Sequence, residues 1–299
     1  MNIRLPTHSS VLYSVAAMVV RSELALPSRV LNNAEAAECT VRVVTQIDPR
    51  PTVWLPSVGD TTWWEARSDT GWWLRVDGIA VVHVAPNDCA IEVQLDPRGT
   101  LDVVGELVVN AVIPTLLGLV GNVVVHATAV DLAGRAVAFA GASMAGKSSM
   151  TAALASLGNP VLADDCLRVQ QSNGRAVVIP TATAARLRPD SAAKLSGLLS
   201  IAVGPGDDAE LAQPVPLHRL CLLQRGNPEL VVEPVGPATA AAALVPHLYF
   251  GRCSARPSWE LVGRLVDAIE GVEVVRLSYP DDMQWLLDHR PQLVEALVR

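Results

Sequence analysis

The sequence predicts an α/β fold preceded by a mainly antiparallel β domain. Three observations lead there. The stretch Gly141-Ala142-Ser143-Met144-Ala145-Gly146-Lys147-Ser148 fits G-x-x-x-x-G-K-[ST] at every specified position. Its setting agrees: Ala136-Val137-Ala138-Phe139-Ala140 before it reads as a buried parallel strand, and residues 149–157 behind it read as a helix ended by Gly158 and then Pro160. The first hundred residues have another texture, short apolar runs separated by turn signals.

Composition narrows the classes. At 299 residues the chain has room for one large domain or two ordinary ones, and with 50% hydrophobic residues it can bury a sizeable core. A net charge of −7 lacks the basic footprint of a general nucleic-acid binder. Cys39, Cys89, Cys166, Cys221 and Cys253 are scattered, with no C-x-x-C pair, so neither a disulfide framework nor a zinc site is expected. The start, MNIRLPTHSS, lacks a basic region followed by an apolar core, so no signal peptide is read there and a cytoplasmic location is expected. Residues 101–125 are largely apolar but contain Asp102, Glu106, Asn110, Pro114 and Asn122, which reads as a buried helix followed by a strand. Residues 238–245, between Pro237 and Pro246, are too short to span, so no membrane partner is expected.

Taken in order, residues 13–21 read as an extended apolar run closed by Ser22-Glu23-Leu24-Ala25-Leu26-Pro27. Strands follow at 40–45, 72–76, 79–84 and 90–95, with Asp77-Gly78 as a hairpin turn. Residues 1–101 are therefore assigned to a β domain. Five of its residues, Trp54, Trp63, Trp64, Trp72 and Trp73, are tryptophans, which serve either a core or a ligand groove. Residues 102–120 form a connecting helix, with Asp102 at its start and Pro114 as a kink or break. Residues 121–299 form the second domain. It opens on the strand-like run 122–130, a turn at Asp131–Arg135 containing Gly134, and the strand before the glycine loop.

The chemistry of this loop is phosphate binding. Backbone N–H groups converge on phosphate oxygens, and the helix N-terminus adds about half a positive charge. Gly141, Ser143, Met144, Ala145, Gly146, Lys147, Ser148 and Ser149 are the candidate nucleotide-binding residues. Lys147 is placed to reach the outer phosphates and the Ser148 hydroxyl to ligate Mg²⁺. A second constellation follows. Pro160-Val161-Leu162-Ala163 is an apolar strand ending in Asp164-Asp165, seventeen and eighteen residues after Lys147. Ligands of α/β sheets sit at the carboxyl ends of strands, where this pair falls. Phosphoryl transfer from magnesium–ATP uses one carboxylate near the metal and another for the acceptor hydroxyl.

Further on, residues 168–171 and 176–180 form a hairpin about Ser172-Asn173-Gly174. Arg186, Arg188 and Lys194 are basic groups able to clamp phosphate, and residues 199–211 read as a loop. A strand at 215–224 is expected to pair with 230–235 across Arg225-Gly226-Asn227-Pro228. Helices are read at 238–250, broken by Pro246, and at 258–270. A strand at 272–277 and a helix from Pro280, with an acidic first turn, complete the chain.

These motifs, in this order, resemble the catalytic domain of the HPr serine kinase/phosphorylase family: His126-Ala127 at the end of a strand, the loop Gly141 to Ser148, one helix, then Leu162-Ala163-Asp164-Asp165. The likeness covers residues 121–235 best. It implies a P-loop kinase domain of HPr-kinase type. It also implies that Asp165 orients or deprotonates an acceptor serine, that Asp164 supports it or the metal, and that His126 sits near the phosphates. ATP and Mg²⁺ are the implied cofactors. The loop departs from the family's G-x-S-G-x-G-K-S-E at Met144, which replaces a glycine, and at Ser149, which replaces the acidic residue. Ala184-Ala185-Arg186-Leu187-Arg188 stands where the bifunctional enzymes carry an I-R-G-L-G-like stretch. These departures lead away from the bifunctional enzymes.

With its β-rich front end and the Ser22 to Pro27 segment, the chain looks closer to the HPr-kinase-like proteins of lasso-peptide biosynthesis. That resemblance implies a peptide or protein substrate with an acceptor serine, plausible as the C-terminal serine of a lasso-peptide precursor, and the family's oligomers add a homo-oligomer. Two other classes stay open: a nucleotide-dependent scaffold without phosphoryl transfer, and a small-molecule kinase.

Overall fold

Alternating apolar and polar residues run along most strands of one sheet of this protein, and strands buried on both faces form the centre of the other. The fold is that of a computed structural model, in which residues 10–32, 36–56, 62–181, 213–250 and 258–299 are described. Arg186, Arg188, Lys194, the stretch 199–211 and Cys253 lie outside the described residues. Chain contacts divide the protein into two units, Met1–Gly121 with Tyr249–Pro257, and Asn122–Leu248 with Ser258–Arg299. The fold class is α/β.

The first unit contains β1 (Val11–Val15), β2 (Met18–Ser22), β3 (Arg29–Val30), β4 (Cys39–Val43), β5 (Leu55–Pro56), β6 (Trp63–Ser68), β7 (Gly71–Val76), β8 (Ala80–Ala85) and β9 (Ala90–Leu95). They make one sheet in the order β3-β1-β2-β4-β9-β8-β7-β6-β5. Pairing is antiparallel except where β4 runs parallel to both β2 and β9. Val41, Val82, Val84, Ile91 and Val93 project to one face and are almost completely buried, as the period-two pattern requires.

The run 13–21 is not one strand. It is the β1–β2 hairpin, turned at Ala16 and Ala17 with φ of 50° and 57°. Both alanines adopt the left-handed conformation that glycine or asparagine normally supplies, which is why the sequence carries no turn signal there. The Ser22 to Pro27 segment is fastened to β4: Glu23 N–H donates to the Val41 carbonyl (3.1 Å), and the Glu23 carboxylate accepts from Val43 N–H (2.9 Å). Leu24 and Leu26 are buried.

The tryptophans serve this sheet. Trp72 is buried and donates to the Glu65 carboxylate (2.9 Å). Trp73 is buried, stacks on His83 at 4.2 Å and donates to the Ser68 hydroxyl. The Arg75 guanidinium lies 5.2 Å from the Trp54 ring and 5.0 Å from the Trp64 ring, within cation–π range.

The helical segment after the sheet consists of α1 (Leu101–Leu107), a π-helical turn (Val108–Val112) and α2 (Ile113–Leu119). Thr100, rather than Asp102, is the N-cap, its hydroxyl accepting from Val103 N–H; Asp102 occupies the first turn. The break expected at Pro114 is the π turn, which re-aims the backbone and ends two residues before a proline that lacks a donor. The Asn110 carbonyl, four residues upstream of Pro114, accepts from the Tyr249 hydroxyl (3.4 Å). Leu101–Leu119 is long and apolar enough to cross a membrane, yet 61% of its most apolar window is buried inside the protein.

The second unit contains β10 (Val123–Val125), β11 (Ala127–Asp131), β12 (Ala136–Ala140), α3 (Lys147–Ala155), β13 (Val161–Ala163), β14 (Leu167–Ser172), β15 (Arg175–Ile179) and β16 (Val215–Arg225). It continues with β17 (Val231–Pro234), α4 (Pro237–Leu244), α5 (Trp259–Ala268), β18 (Glu273–Tyr279), α6 (Met283–Asp288) and α7 (Arg290–Val298). The long strand β16 joins two groups. Its start pairs antiparallel with β15, continuing into β14 and β10. Its remainder runs parallel to β12 on one side and to β18 on the other.

Three expectations change here. The run 122–130 breaks at His126 into two strands, because His126 N–H donates to the His247 carbonyl (2.7 Å) instead of to a neighbouring strand. Strand β17 pairs with β18 and not with β16. The acidic residue Asp282 is the N-cap of α6, accepting from Gln284 N–H, and the final helix is two helices parted at His289. Phe139, Met150, Leu154, Cys221, Val275, Leu277, Leu293 and Leu297 form the core between the central strands and α3, α6 and α7.

Gly118 in α2 shows how closely the first unit is packed. A Cβ added there would lie 1.8 Å from the Tyr249 carbonyl oxygen, a backbone atom that no rotamer change can move. Gly118→Ala gains about 1 kcal/mol of helix propensity. It is nevertheless expected to destabilise the protein by about 1–3 kcal/mol through overpacking, read as a lower urea midpoint at unchanged m-value.

Candidate functional site

Strand direction assembles the site. β12, β16 and β18 are parallel, and β13 runs the same way because both it and β12 are antiparallel to β11. Their carboxyl ends therefore share one end of the sheet. There lie the glycine loop after β12, Arg225 closing β16, Tyr279 closing β18 and Asp164-Asp165 following β13. The start of β11 lies at that end too, since Ala127 pairs with Ala140, and this places His126.

The loop hands the chain to α3 through Gly146, whose φ is 94° and whose carbonyl accepts from Met150 N–H (2.8 Å). The amides of Lys147, Ser148 and Ser149 begin the helix, and at such positions the N–H groups have no partner within it. Ser143 and Met144 are exposed at the loop's tip; Ala145, Ser148 and Ser149 are half-buried. Met144 has a φ of 67°, left-handed at the position where the resembling family carries glycine.

Lys147 is buried, and its ammonium donates to the carbonyls of Gly141 (3.0 Å) and Ala142 (3.3 Å). Burial holds its pKa below the ordinary lysine value, and the negative charges of Asp165 and then Asp164 work against that shift. The lysine and both carboxylates thus act on one another as a single electrostatic cluster. His126 joins it: its Nε2 lies 3.8 Å from Asp165 Oδ1. Asp165 itself has a φ of 63°. Thr181 fastens the turn that carries the pair, donating from its amide to the Leu162 carbonyl (2.8 Å) and from its hydroxyl to the Cys166 carbonyl (2.5 Å).

Several supporting residues had no signal in the sequence, because they act from distant strands. The Tyr279 hydroxyl donates to the Ala145 carbonyl (2.9 Å), and burial pushes its pKa up to about 12, so it remains a phenol. Arg225 donates to the Met144 carbonyl (2.9 Å) and pairs with Asp281. Beneath the helix start, buried Thr151 donates to Thr128 (2.6 Å), and Thr128 to the Lys147 carbonyl (3.5 Å).

The residues present fit a magnesium-bound nucleotide. No group of three His, Cys, Asp or Glu side chains suited to a metal occurs among the described residues. A serine hydroxyl with one carboxylate is nevertheless an ordinary protein contribution to Mg²⁺, which keeps waters and takes phosphate oxygens. Ser148 and Asp164 offer that pair.

No protein-family model matches the chain, and no curated protein does. Among solved structures, the Hpr(Ser) kinase/phosphatase from Coxiella burnetii is similar over 59% of this chain and 93% of that one, at 16% sequence identity and a TM-score of 0.32. That likeness is too loose to carry a functional argument.

The brace on the loop is testable. A Cβ at Gly146 would come within 2.2 Å of the Tyr279 hydroxyl. Tyr279→Phe removes both that obstacle and one hydrogen bond of about 1 kcal/mol. Gly146→Ala is therefore expected to destabilise the Tyr279→Phe protein less than the wild type, by about 1 kcal/mol. A double-mutant cycle of unfolding free energies measures this, and additivity of the two changes would contradict the close approach.

Proposed function

We propose that this protein is a Mg²⁺- and ATP-dependent kinase that phosphorylates a serine hydroxyl of a peptide or protein. The observation that carries the reading is the convergence of the Asp164-Asp165 pair on the charge of the loop lysine, with His126 3.8 Å from Asp165. A loop lysine alone accounts for phosphate binding. Two carboxylates beside it add the means to handle an acceptor proton and a metal.

Each residue then has a task. The first amides of α3 and Lys147 bind and orient the phosphates. Ser148 and Asp164 are the residues that would hold Mg²⁺, whose chemistry there is neutralisation of phosphate charge. Asp165 orients the acceptor hydroxyl and takes its proton as the new oxygen–phosphorus bond forms and the bond to ADP breaks. His126, beside Asp165, positions that carboxylate. The left-handed backbone of Asp165 fits this role, since uncommon φ values concentrate where a side chain must be aimed. For the acceptor, the sequence resemblance supports the C-terminal serine of a lasso-peptide precursor.

The test is mass spectrometry of serine-ended peptides after incubation with the protein, ATP and Mg²⁺. A phosphorylated peptide is expected with the wild type. Asp165→Asn is expected to lower transfer by about 100-fold or more while ATP still binds. Lys147→Ala is expected to lose ATP binding itself. ATP hydrolysis without transfer to any peptide or protein would leave the nucleotide-dependent scaffold as the better reading.

A further inference from the structure

The sheet of the first unit carries a cavity on its second face, and no residue lining it belongs to the site described above. Strands β4, β9, β8 and β7 are neighbours in that order. Val41, Ile91 and Val84 turn to the buried face, so Arg42, Glu92 and His83 turn to the other. Register aligns these three: Arg42 stands opposite Glu92, and Glu92 opposite His83. In the next row on the same face Ala90 stands opposite Ala85. Long side chains beside methyl groups leave a step in the surface. The turns Asp69-Thr70 and Pro86–Asp88 wall it at that end of the sheet. The resulting cavity holds about 370 Å³, within the range of small-molecule sites.

Both signs of charge line it, at different places. Arg42 projects from β4, Asp69 lies in the turn between β6 and β7, and Asp88 in the turn between β8 and β9. All three are exposed, and none has an ion pair among the described residues. His83 stands between them as a fixed wall. It stacks on Trp73 at 4.2 Å, and its side chain is only 12% exposed. Its Nδ1 lies 3.4 Å from the Glu92 carboxylate, which places the ring proton there and leaves Nε2 an acceptor. Nε2 is completely buried and has no hydrogen-bond partner among the described residues. Buried polar atoms seldom stay unpaired, and what this one lacks is a donor.

We propose that the cavity binds a short peptide by its two termini, the carboxylate on Arg42 and the ammonium between Asp69 and Asp88, with backbone N–H groups passing His83. Length agrees with that occupant. β4 and β7 are three strand spacings apart, about 14 Å, which an extended chain covers with about four residues. Other ligands answer only part of the lining. A simple cation leaves Arg42 unmatched, and a phosphate meets the carboxylates of Asp69, Asp88 and Glu92. This site is separate from the glycine loop and does not rest on the kinase reading.

The test is isothermal titration calorimetry of the full chain, with tetra-alanine as the probe and no nucleotide present. The peptide with both termini free is expected to bind. Its N-acetylated and C-amidated forms are each expected to bind about tenfold more weakly or worse, the loss of one charge-assisted contact. Arg42→Gln is expected to take the free and the amidated peptide alike. The double variant Asp69→Asn with Asp88→Asn is expected to take the free and the acetylated peptide alike. An unchanged urea midpoint shows that each variant is folded. Absence of binding heat at about 10 mM free peptide, equal affinity for free and capped peptides, or a preference that survives its own substitution each overturns the proposal. Because ATP takes no part, these outcomes are read separately from success or failure of phosphoryl transfer.

Discussion

The site depends on one constraint: β12, β16 and β18 run parallel and end together. That register places the hydroxyl of Tyr279 and the guanidinium of Arg225 against two successive carbonyls of the glycine loop, those of Ala145 and Met144. The loop's own lysine and amides serve the carbonyls of Gly141 and Ala142, and these two side chains supply donors to those of Met144 and Ala145. The same close approach restricts position 146 to glycine, since the tyrosine oxygen occupies the space of a Cβ.

Charge follows the same geometry. A buried ammonium without compensation costs several kcal/mol. Lys147 is compensated from two directions, by the carbonyls of Gly141 and Ala142 within its own loop and by Asp165 and Asp164 from the next parallel strand. The carboxylates therefore favour the lysine's charged form, against the burial that disfavours it. Removing one therefore changes the electrostatics of the loop as well as the carboxylate pair.

Much of this was legible wherever the signal is local. The glycine loop, the Asn173-Gly174 hairpin and the Asp77-Gly78 turn lie where their residues require them, and Ser258 caps α5 by accepting from Leu261 N–H. What could not be read was mostly pairing between distant segments. The turn after β16 indicated a hairpin with β17, but β18 lies between them. Its residues Val274, Val275, Leu277, Ser278 and Tyr279 are all buried, while β17 is largely exposed, so the edge is the only place β17 fits. Hydrophobicity compared across the two strands carried that information, and local turn chemistry outweighed it. The Ala16-Ala17 turn is different, because two alanines in left-handed conformation carry no signal at all. The role of Tyr279 was equally hidden, since a lone tyrosine at a strand end is ordinary.

Met144 brings these strands of argument together. A non-glycine residue at φ 67° costs about 1–2 kcal/mol, and at 68% exposure its side chain recovers little of this by packing. The compensation lies in the backbone. The Met144 carbonyl accepts from Arg225, and the next carbonyl accepts from Tyr279. A buried hydroxyl bond contributes about 1 kcal/mol, and a charged donor somewhat more before solvent screening of the part-exposed arginine reduces it. The two together are of the same size as the strain. Glycine is thus unnecessary at this position, because side chains from the two neighbouring parallel strands hold the conformation that glycine would otherwise adopt unaided. The loop therefore keeps its left-handed turn without a glycine, and it leaves a long apolar side chain exposed at its tip.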